Sequence, residues 1–182
     1  MKILIYGLNF KPEPVGIGKY TGEWSCWLAS RGHQVRVITA PPYFPQWRVQ
    51  PGHRNAYATE QHDGLFVQRC PLWVPRQPSG LTRLLHLASF ALSSLVPLLA
   101  QRAWRPEVVI TVAPAFFCAP GALLLRRVVG RSCISWLHIQ DFELDAAFEL
   151  GLLKGRWLRS LAEGLERRTR QAFSVVSGCT SP

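Results

Sequence analysis

Two glycines and a lysine, Gly16, Gly18 and Lys19, stand between a short apolar run and a stretch of helical periodicity. Glycines let a ligand approach the backbone closely, and the free N–H groups and dipole at a helix N-terminus favour an anion. Lys19 would add a positive charge. The pattern therefore indicates contact with a phosphate or a sugar; a tight turn without a ligand is the alternative interpretation.

The same glycines argue against a nicotinamide dinucleotide. Gly22 follows Gly18 by four positions, whereas the dinucleotide fingerprint requires three. The second apolar run ends at Thr39 and Ala40, where a dinucleotide-binding domain carries an acid for the ribose 2′-hydroxyl. A nucleotide-binding oxidoreductase is therefore a disfavoured alternative, and no cofactor is predicted.

His138 and Asp141 stand at the carboxyl end of a predicted strand, the edge of an α/β sheet where ligands generally bind. An imidazole and a carboxylate there could orient sugar hydroxyls or accept a proton, so both are candidate catalytic residues. Alternatively, His138 is hydrogen-bonded within the sheet edge and Asp141 caps the next helix. Glu143 and Asp145 are interpreted as solvated first-turn acids, and no metal site is predicted.

The elements that must position these residues alternate along the chain. The predicted strands span 2–8, 34–39, 65–70, 107–112, 132–139 and 172–177, and the predicted helices span 19–30, 81–102, 115–129 and 156–171. Residues 40–63 show no sustained period and are predicted to form a long irregular loop. This alternation predicts one Rossmann-like domain over residues 1–182, built on a doubly wound parallel sheet.

The net charge and the residue composition limit the classes of partner that the protein is expected to bind. A formal net charge of +10 calls for an acidic partner: nucleic acid, an anionic membrane or a phosphorylated substrate. No nucleic-acid motif and no basic stripe with interleaved aromatics is present, so nucleic acid is disfavoured. The five cysteines form no C-x-x-C pair, which is typical of reduced thiols in a cytosolic protein.

The predicted helix 81–102 has a wide apolar surface. Charged and polar residues interrupt it before about 18 apolar residues accumulate, so a membrane span is disfavoured. Two interpretations remain open: a buried core helix, or a helix lying in a membrane interface. In the second case the residues near anionic headgroups would be Arg76, Arg83, Arg102 and Arg105.

Four segments together resemble family 4 glycosyltransferases, in particular those of colanic acid-type exopolysaccharide biosynthesis. They are residues 17–23 (IGKYTGE), 39–43 (TAPPY), 74–80 (VPRQPSG) and 136–142 (WLHIQDF). The resemblance implies a GT-B enzyme of two Rossmann-like domains with the active site between them. The N-terminal domain would receive the acceptor, and the C-terminal domain would hold most of the nucleotide-sugar donor.

The resemblance also implies roles for particular residues. Gly16 and Gly18 would face the donor diphosphate, and His138 would contact the sugar near the reacting centre, with Asp141 beside it. A retaining mechanism of this type requires no protein nucleophile, because electrostatic stabilisation of the leaving diphosphate dominates. A lipid-linked oligosaccharide acceptor at the inner face of the cytoplasmic membrane would account for the basic charge and the apolar helix together.

The sequence departs from this family in one respect. No two glutamates stand eight positions apart, so the Glu-x7-Glu motif of the family's C-terminal domain is not found. The expectation is an acceptor-side domain that lacks its donor-binding partner domain and is inactive alone. A noncatalytic binding module, or one half of a split enzyme, is the alternative.

Overall fold

A computed structural model describes residues 1–112, 115–130, 132–140, 164 and 166–178. The strands are β1 (Lys2–Tyr6), β2 (Gln34–Thr39), β3 (Ala58–His62), β4 (Leu65–Arg69), β5 (Val108–Val112), β6 (Ile134–Ile139) and β7 (Val175–Gly178). The helices are α1 (Gly16–Ser30), α2 (Gly80–Ala100) and α3 (Ala115–Val129), and a 3₁₀ turn, Gln101–Ala103, follows α2.

The strands form a seven-stranded sheet in the order β3-β4-β2-β1-β5-β6-β7. Every neighbouring pair is parallel except β3 and β4, which are antiparallel. β1 and β5 lie at the centre and are apolar and buried because helices cover both faces of the sheet. The predicted doubly wound α/β fold is therefore confirmed.

β3 corrects the prediction that residues 40–63 are irregular throughout. Its sequence, ATEQH, lacks the apolar alternation that marks a half-buried strand. It forms because Asp63 and Gly64, at φ values of 54° and 73°, make a two-residue hairpin turn back into β4. An Asp-Gly pair with both residues at positive φ is typical of the tightest hairpins.

Helix α1 lies on one face of the sheet, whereas α2 and α3 lie on the other. The chain runs from β1 through α1 to β2 on one side of the sheet centre, and from β5 through α3 to β6 on the other side. The crevice beyond β1 and β5 is therefore a topological switch point, where α/β proteins generally bind ligands.

Helix α2 is amphipathic in the structure. Its inner side packs on the sheet, and Tyr6 of β1 contacts it through a hydrogen bond of 2.7 Å to Ser94 and a stacked contact with Phe90. Its outer side exposes Leu81, Leu85, Leu92 and Val96. Together with the 3₁₀ turn, α2 is long and apolar enough to cross a membrane, but about two fifths of its most apolar stretch (39%) is buried within the domain.

Candidate functional site

A cavity of about 300 Å³ opens beyond the carboxyl ends of β1 and β2, between the first turns of α1 and α2. Its size is at the lower end of small-molecule pockets, ~300–1,000 Å³. The lining residues come from the loops after these two strands and from the two helix starts: Asn9, Gly16, Ile17, Tyr43, Phe44, Trp47, Arg83, His86 and Leu87.

Glu13 joins the two loops that wall this cavity. Its Oε1 accepts hydrogen bonds from the backbone N–H groups of Tyr43 and Phe44, at 3.1 and 3.0 Å, and its Oε2 accepts one from Asn9 Nδ2 at 3.0 Å. Only 2% of Glu13 is exposed. Burial raises the pKa of its carboxyl, and the three hydrogen bonds oppose that rise.

Arg69 holds the same loops at the end of β4. Its guanidinium donates to the carbonyl oxygens of Ala40 and Lys11, at 3.0 and 2.8 Å, and pairs with Glu60 at 3.1 Å. It is the largest fully buried side chain of the described part of the chain. An acid and a base that are both buried therefore fix the mouth of the β1–β2 crevice, since a buried charge is retained only where it is paired or hydrogen-bonded.

The three residues predicted to contact a phosphate or sugar have separate surroundings. Gly16, at φ 62°, lines the cavity. Gly18 packs on Glu13, and a Cβ there would lie 2.4 Å from Glu13 Oε2, so a packing requirement accounts for this glycine. The Lys19 ammonium lies 4.0 Å from Glu23 and outside the cavity lining. Contact of these residues with a diphosphate stays a prediction.

Helix α1 begins at Gly16, three residues before the predicted start. Its N-cap, Val15, offers no side-chain hydrogen bond, and its first turn contains no acid. The backbone N–H groups of that turn therefore lack the usual side-chain acceptor, and the positive end of the helix dipole is not neutralised locally.

His86 brings to the cavity wall a buried imidazole of which only one nitrogen has a hydrogen-bond partner among the described residues. Its Nδ1 lies 2.6 Å from the carbonyl oxygen of Trp73. Because a carbonyl only accepts, Nδ1 carries the proton, and Nε2 of the neutral ring is an acceptor. Nε2 is buried and has no hydrogen-bond partner within the described residues. Burial, more than the nearby Arg83 charge, lowers the pKa of His86 and keeps the ring neutral.

Aromatic rings enclose this imidazole. The ring centroids of Tyr43 and Trp47 lie 4.7 and 5.2 Å from that of His86. Trp47 has a φ of 51°, in the left-handed region that a bulky residue rarely adopts. The Arg83 guanidinium lies 5.4 Å from the Trp47 ring, on the cavity side of α2 and away from the exposed stripe.

His138 lies elsewhere on the carboxyl edge of the sheet. It is in β6, where it pairs with Val112 of β5, and its Nδ1 makes a 2.9 Å hydrogen bond to Ser177 Oγ. Its ring lies 5.6 Å from that of Trp24 of α1, and burial lowers its pKa. His138 therefore faces the α1 side of the sheet and is not in the cavity lining. Its partner in the predicted catalytic pair, Asp141, lies outside the described residues, as do Glu143 and Asp145.

The remaining predicted arginines are exposed near the two ends of α2. Arg76 precedes the helix, whereas Arg102 and Arg105 follow it. Across the residues that the structure describes, no group of three or more metal-ligating side chains occurs. Sequence reasoning missed Trp47 and His86 as cavity residues and Glu13 as the acid that joins the two cavity loops. His86 nevertheless interrupts an otherwise apolar helical stretch, and Trp47 lies in a loop long enough to be functional.

A mostly parallel, seven-stranded α/β sheet with a ligand-sized cavity at its carboxyl edge is the architecture of the N-terminal domain of GT-B glycosyltransferases. Residues 15–182 match the glycosyl transferase 4-like domain, and the chain belongs to that family.

One relative and one solved structure illustrate the similarity. The chain is 54% identical over 171 residues to WcaI of Escherichia coli K12, whose name assigns it provisionally to glycosyl transfer in colanic acid biosynthesis. The alignment covers 92% of this chain and 41% of that relative's length. The catalytic domain of starch synthase IV from Arabidopsis thaliana, bound to ADP and acarbose, matches 79% of the chain and 34% of its own length, with a TM-score of 0.55 and 15% identity. The second similarity concerns the fold alone.

Proposed function

We propose that this domain is the acceptor-side half of a retaining glycosyltransferase that transfers a sugar from a nucleotide-sugar donor to a lipid-linked oligosaccharide in exopolysaccharide biosynthesis. The observation that carries the proposal is the 54% identity to WcaI over 92% of the chain. The chain spans 41% of that relative's length, so the proposed activity is that of a protein in which this domain faces a donor-binding domain.

The first turn of α1 supports a role in binding the donor. Gly16 lies at the switch-point edge of the sheet and leads a helix whose uncapped N–H groups point towards its N-terminal end. A phosphate placed there gains about 0.3–1 kcal/mol from the helix dipole, and up to ~2 kcal/mol where the site is partly buried. The ADP bound to the starch synthase is consistent with a nucleotide donor in a domain pair of this fold.

His138 is proposed to contact the transferred sugar near the reacting centre. Its hydrogen bond to Ser177 and its contact with Trp24 fix the ring at the carboxyl end of β6. Because burial lowers its pKa, the ring is neutral near neutral pH, and it would hydrogen-bond a sugar hydroxyl without adding a charge. Asp141 stays a proposed partner on sequence grounds alone.

The outer side of α2 supports peripheral contact with an anionic membrane, where a lipid-linked acceptor would reside. The exposed apolar side chains recur at intervals of four, seven and four residues and so lie on one stripe: Leu81, Leu85, Leu92 and Val96. The 21-residue helix is about 31 Å long at ~1.5 Å per residue, with Arg76 before it and Arg102 and Arg105 after it. An apolar stripe between basic ends suits a helix lying in the headgroup region.

A chimera tests the proposed function. The residues of WcaI that match this chain would be replaced by the chain's own 182 residues. Transfer of labelled sugar from nucleotide donors to a membrane lipid fraction, and polymer production in cells lacking the native protein, would be measured. We expect both to be restored. A chimera that folds and yet supports neither would contradict the proposal.

Two histidine variants sharpen this test. In the active chimera, His138→Ala should reduce transfer by about a hundredfold or more, as removal of a group at the reacting centre typically does. His33→Ala is the matched control, because His33 immediately precedes β2 at the opposite edge of the sheet. Equal activities of these two variants would remove His138 from the proposed site.

The 182-residue polypeptide by itself is expected to transfer no sugar. The reason is that the family resemblance assigns most donor contacts to a second domain. Incubation with nucleotide sugars and a lipid extract, followed by measurement of released nucleoside diphosphate, checks this expectation. Turnover comparable to that of the chimera would show that the donor site is complete within this chain.

A further inference from the structure

The α1–α2 cavity contains a buried acceptor without a partner. His86 is 1% exposed, its Nδ1 is occupied by the Trp73 carbonyl, and its Nε2 has no partner among the described residues. A buried polar atom left without a partner destabilises the folded protein. A residue of this kind on a cavity wall indicates that the missing partner comes from a ligand.

The protonation of His86 restricts the chemistry of that ligand. Because Nδ1 donates to a carbonyl and burial keeps the ring neutral, Nε2 accepts, and the ligand must present an O–H or N–H group. The half-buried Trp47 indole offers a flat apolar surface beside it. A hydroxyl beside an apolar face is the combination that a sugar ring provides. Trp47 is also held at φ 51°, and such backbone strain is concentrated at ligand sites.

The charge around the cavity restricts the ligand further. Arg83 lines it and makes no ion pair within the part of the chain that the structure describes, and none of the lining residues is an acid. The nearby Glu13 carboxylate is already hydrogen-bonded to Tyr43, Phe44 and Asn9. Gly16 and Ile17 bring the positive end of the α1 dipole to the same cavity. These groups together favour an anionic substituent.

We infer that the cavity binds a glycosyl phosphate. The sugar ring lies against Trp47 and donates one hydroxyl to His86 Nε2, while its phosphate lies between the Arg83 guanidinium and the first turn of α1. The inference rests on the proposed function, in which the donor and the lipid-linked acceptor both contain a sugar joined to phosphate. It assigns the recognition of that shared unit to Trp47, Arg83 and His86.

Calorimetric titration of the 182-residue chain tests the inference. The probes are the 1-phosphates of glucose, galactose, fucose and N-acetylglucosamine, the corresponding free sugars, and inorganic phosphate. At least one sugar phosphate should bind more tightly than its free sugar and more tightly than phosphate. If none of the four binds, or if inorganic phosphate binds equally well, the inference is overturned.

Three variants locate the binding. His86→Asn keeps a side-chain N–H for the Trp73 carbonyl but lacks Nε2, and should weaken binding about tenfold, the loss of one good hydrogen bond. Arg83→Gln should remove the preference for the phosphorylated sugar over the free sugar. Arg127→Gln, at an exposed arginine on α3, is the matched control and should bind as the unmodified chain does. Unchanged binding by His86→Asn, with the fold verified by its unfolding transition, would exclude the proposed contact.

Competition identifies the source of the glycosyl phosphate. Displacement by a nucleoside diphosphate would assign the cavity to the donor, whereas displacement only by a short isoprenyl-diphosphate sugar would assign it to the acceptor; either result supports the inference. Failure of the cavity assignment and failure of the proposed function are distinguishable. A chimera that transfers sugar while no glycosyl phosphate binds overturns the cavity assignment alone, and the reverse result overturns the proposed function alone.

Discussion

At the scale of single residues, Glu13 places a carboxylate inside the protein. Its hydrogen bonds hold the loops after β1 and β2 and limit the size of the side chains that can pack beside it. Its oxygens satisfy two backbone N–H groups and the Asn9 amide. Each of these donors would cost about 1–3 kcal/mol if it were buried without an acceptor. The loops after β1 and β2 therefore keep their positions only while the Glu13 side chain has room to reach between them.

Gly18→Ala tests this constraint. The new Cβ would lie 2.4 Å from Glu13 Oε2 and 2.8 Å from Glu13 Cβ, so the acid must move and its hydrogen bonds must weaken. We expect the free energy of unfolding to fall by about 1–3 kcal/mol, the typical cost of overpacking. Urea denaturation measures it.

The matched control for Gly18→Ala is Gly164→Ala. Gly164 is also helical, but its new Cβ would meet no atom within 4 Å among the residues that the structure describes. Since alanine is the better helix former, this control should be neutral or gain up to about 1 kcal/mol. Equal unfolding free energies for the two variants would show that Glu13 does not depend on the absence of a side chain at Gly18.

His86 gives the stability of the domain a pH dependence with a defined sign. Burial lowers its pKa in the folded protein below the ordinary value of 6.5. The unfolded chain therefore binds more protons in the window between these two pKa values. The stability that the neutral ring contributes is complete above pH 6.5 and is lost as the pH falls through the folded-state pKa.

The comparison of the unmodified chain with His86→Asn isolates this contribution, because His138 also titrates with a lowered pKa and is present in both proteins. Unfolding free energies would be measured from about pH 8 to about pH 5. The advantage of the unmodified chain should shrink as the pH falls. An advantage that is constant across this range would show that His86 titrates alike in the folded and unfolded states.

At the scale of secondary-structure elements, three parts of helix α2 lie in different environments. Its inner side packs on the sheet through Phe90 and Leu98, its first turns line the cavity, and its outer stripe is exposed. The exposed fractions of Leu92 and Val96 are 73% and 75%, so neither side chain contributes much to the core of the domain. These two positions can therefore report membrane contact without a large effect on folding.

We expect the double variant Leu92→Glu, Val96→Glu to lose flotation with anionic vesicles, because it places two carboxylates in the stripe that would enter the headgroup region. The unfolding free energy should change by less than about 1 kcal/mol. Trp27→Glu, an exposed apolar position on α1 across the sheet, is the control and should float normally. Retained flotation of the double variant would exclude the stripe as the contact surface.

Strands and helices could be predicted from the sequence where the local apolar periodicity agrees with the burial that the fold imposes. The apolar runs of β1 and β5 and the apolar face of α2 were predicted because burial on two faces, or on one, leaves a simple periodicity. β3 was missed because its pairing depends on the turn at Asp63 and Gly64 rather than on apolar residues. The cavity was missed because Asn9, Trp47 and His86 meet only after the strands pair, and no spacing along the chain records that meeting.

At the scale of the whole molecule, the formal net charge is +10, and two of the acids, Glu13 and Glu60, are occupied by hydrogen bonds within the fold. Glu13 and Glu60 are hydrogen-bonded to the loops and to Arg69, whereas Arg76, Arg102 and Arg105 are exposed around α2. The three exposed arginines therefore place positive charge at the two ends of that helix. A long-range attraction of this kind steers the molecule to an anionic surface and is screened by salt.

Membrane binding at different salt concentrations distinguishes this electrostatic attraction from insertion of the apolar stripe of α2 into the membrane. The screening length shortens from about 30 Å at ~0.01 M to about 3 Å at ~1 M salt. Flotation with anionic vesicles should therefore fall steeply over that range, and neutral vesicles should bind weakly at every salt concentration. If the apolar stripe dominated, binding would persist at high salt and vesicle charge would matter little. A protein that binds both kinds of vesicle equally would therefore contradict the role assigned to the arginines, and the stripe alone would account for membrane contact.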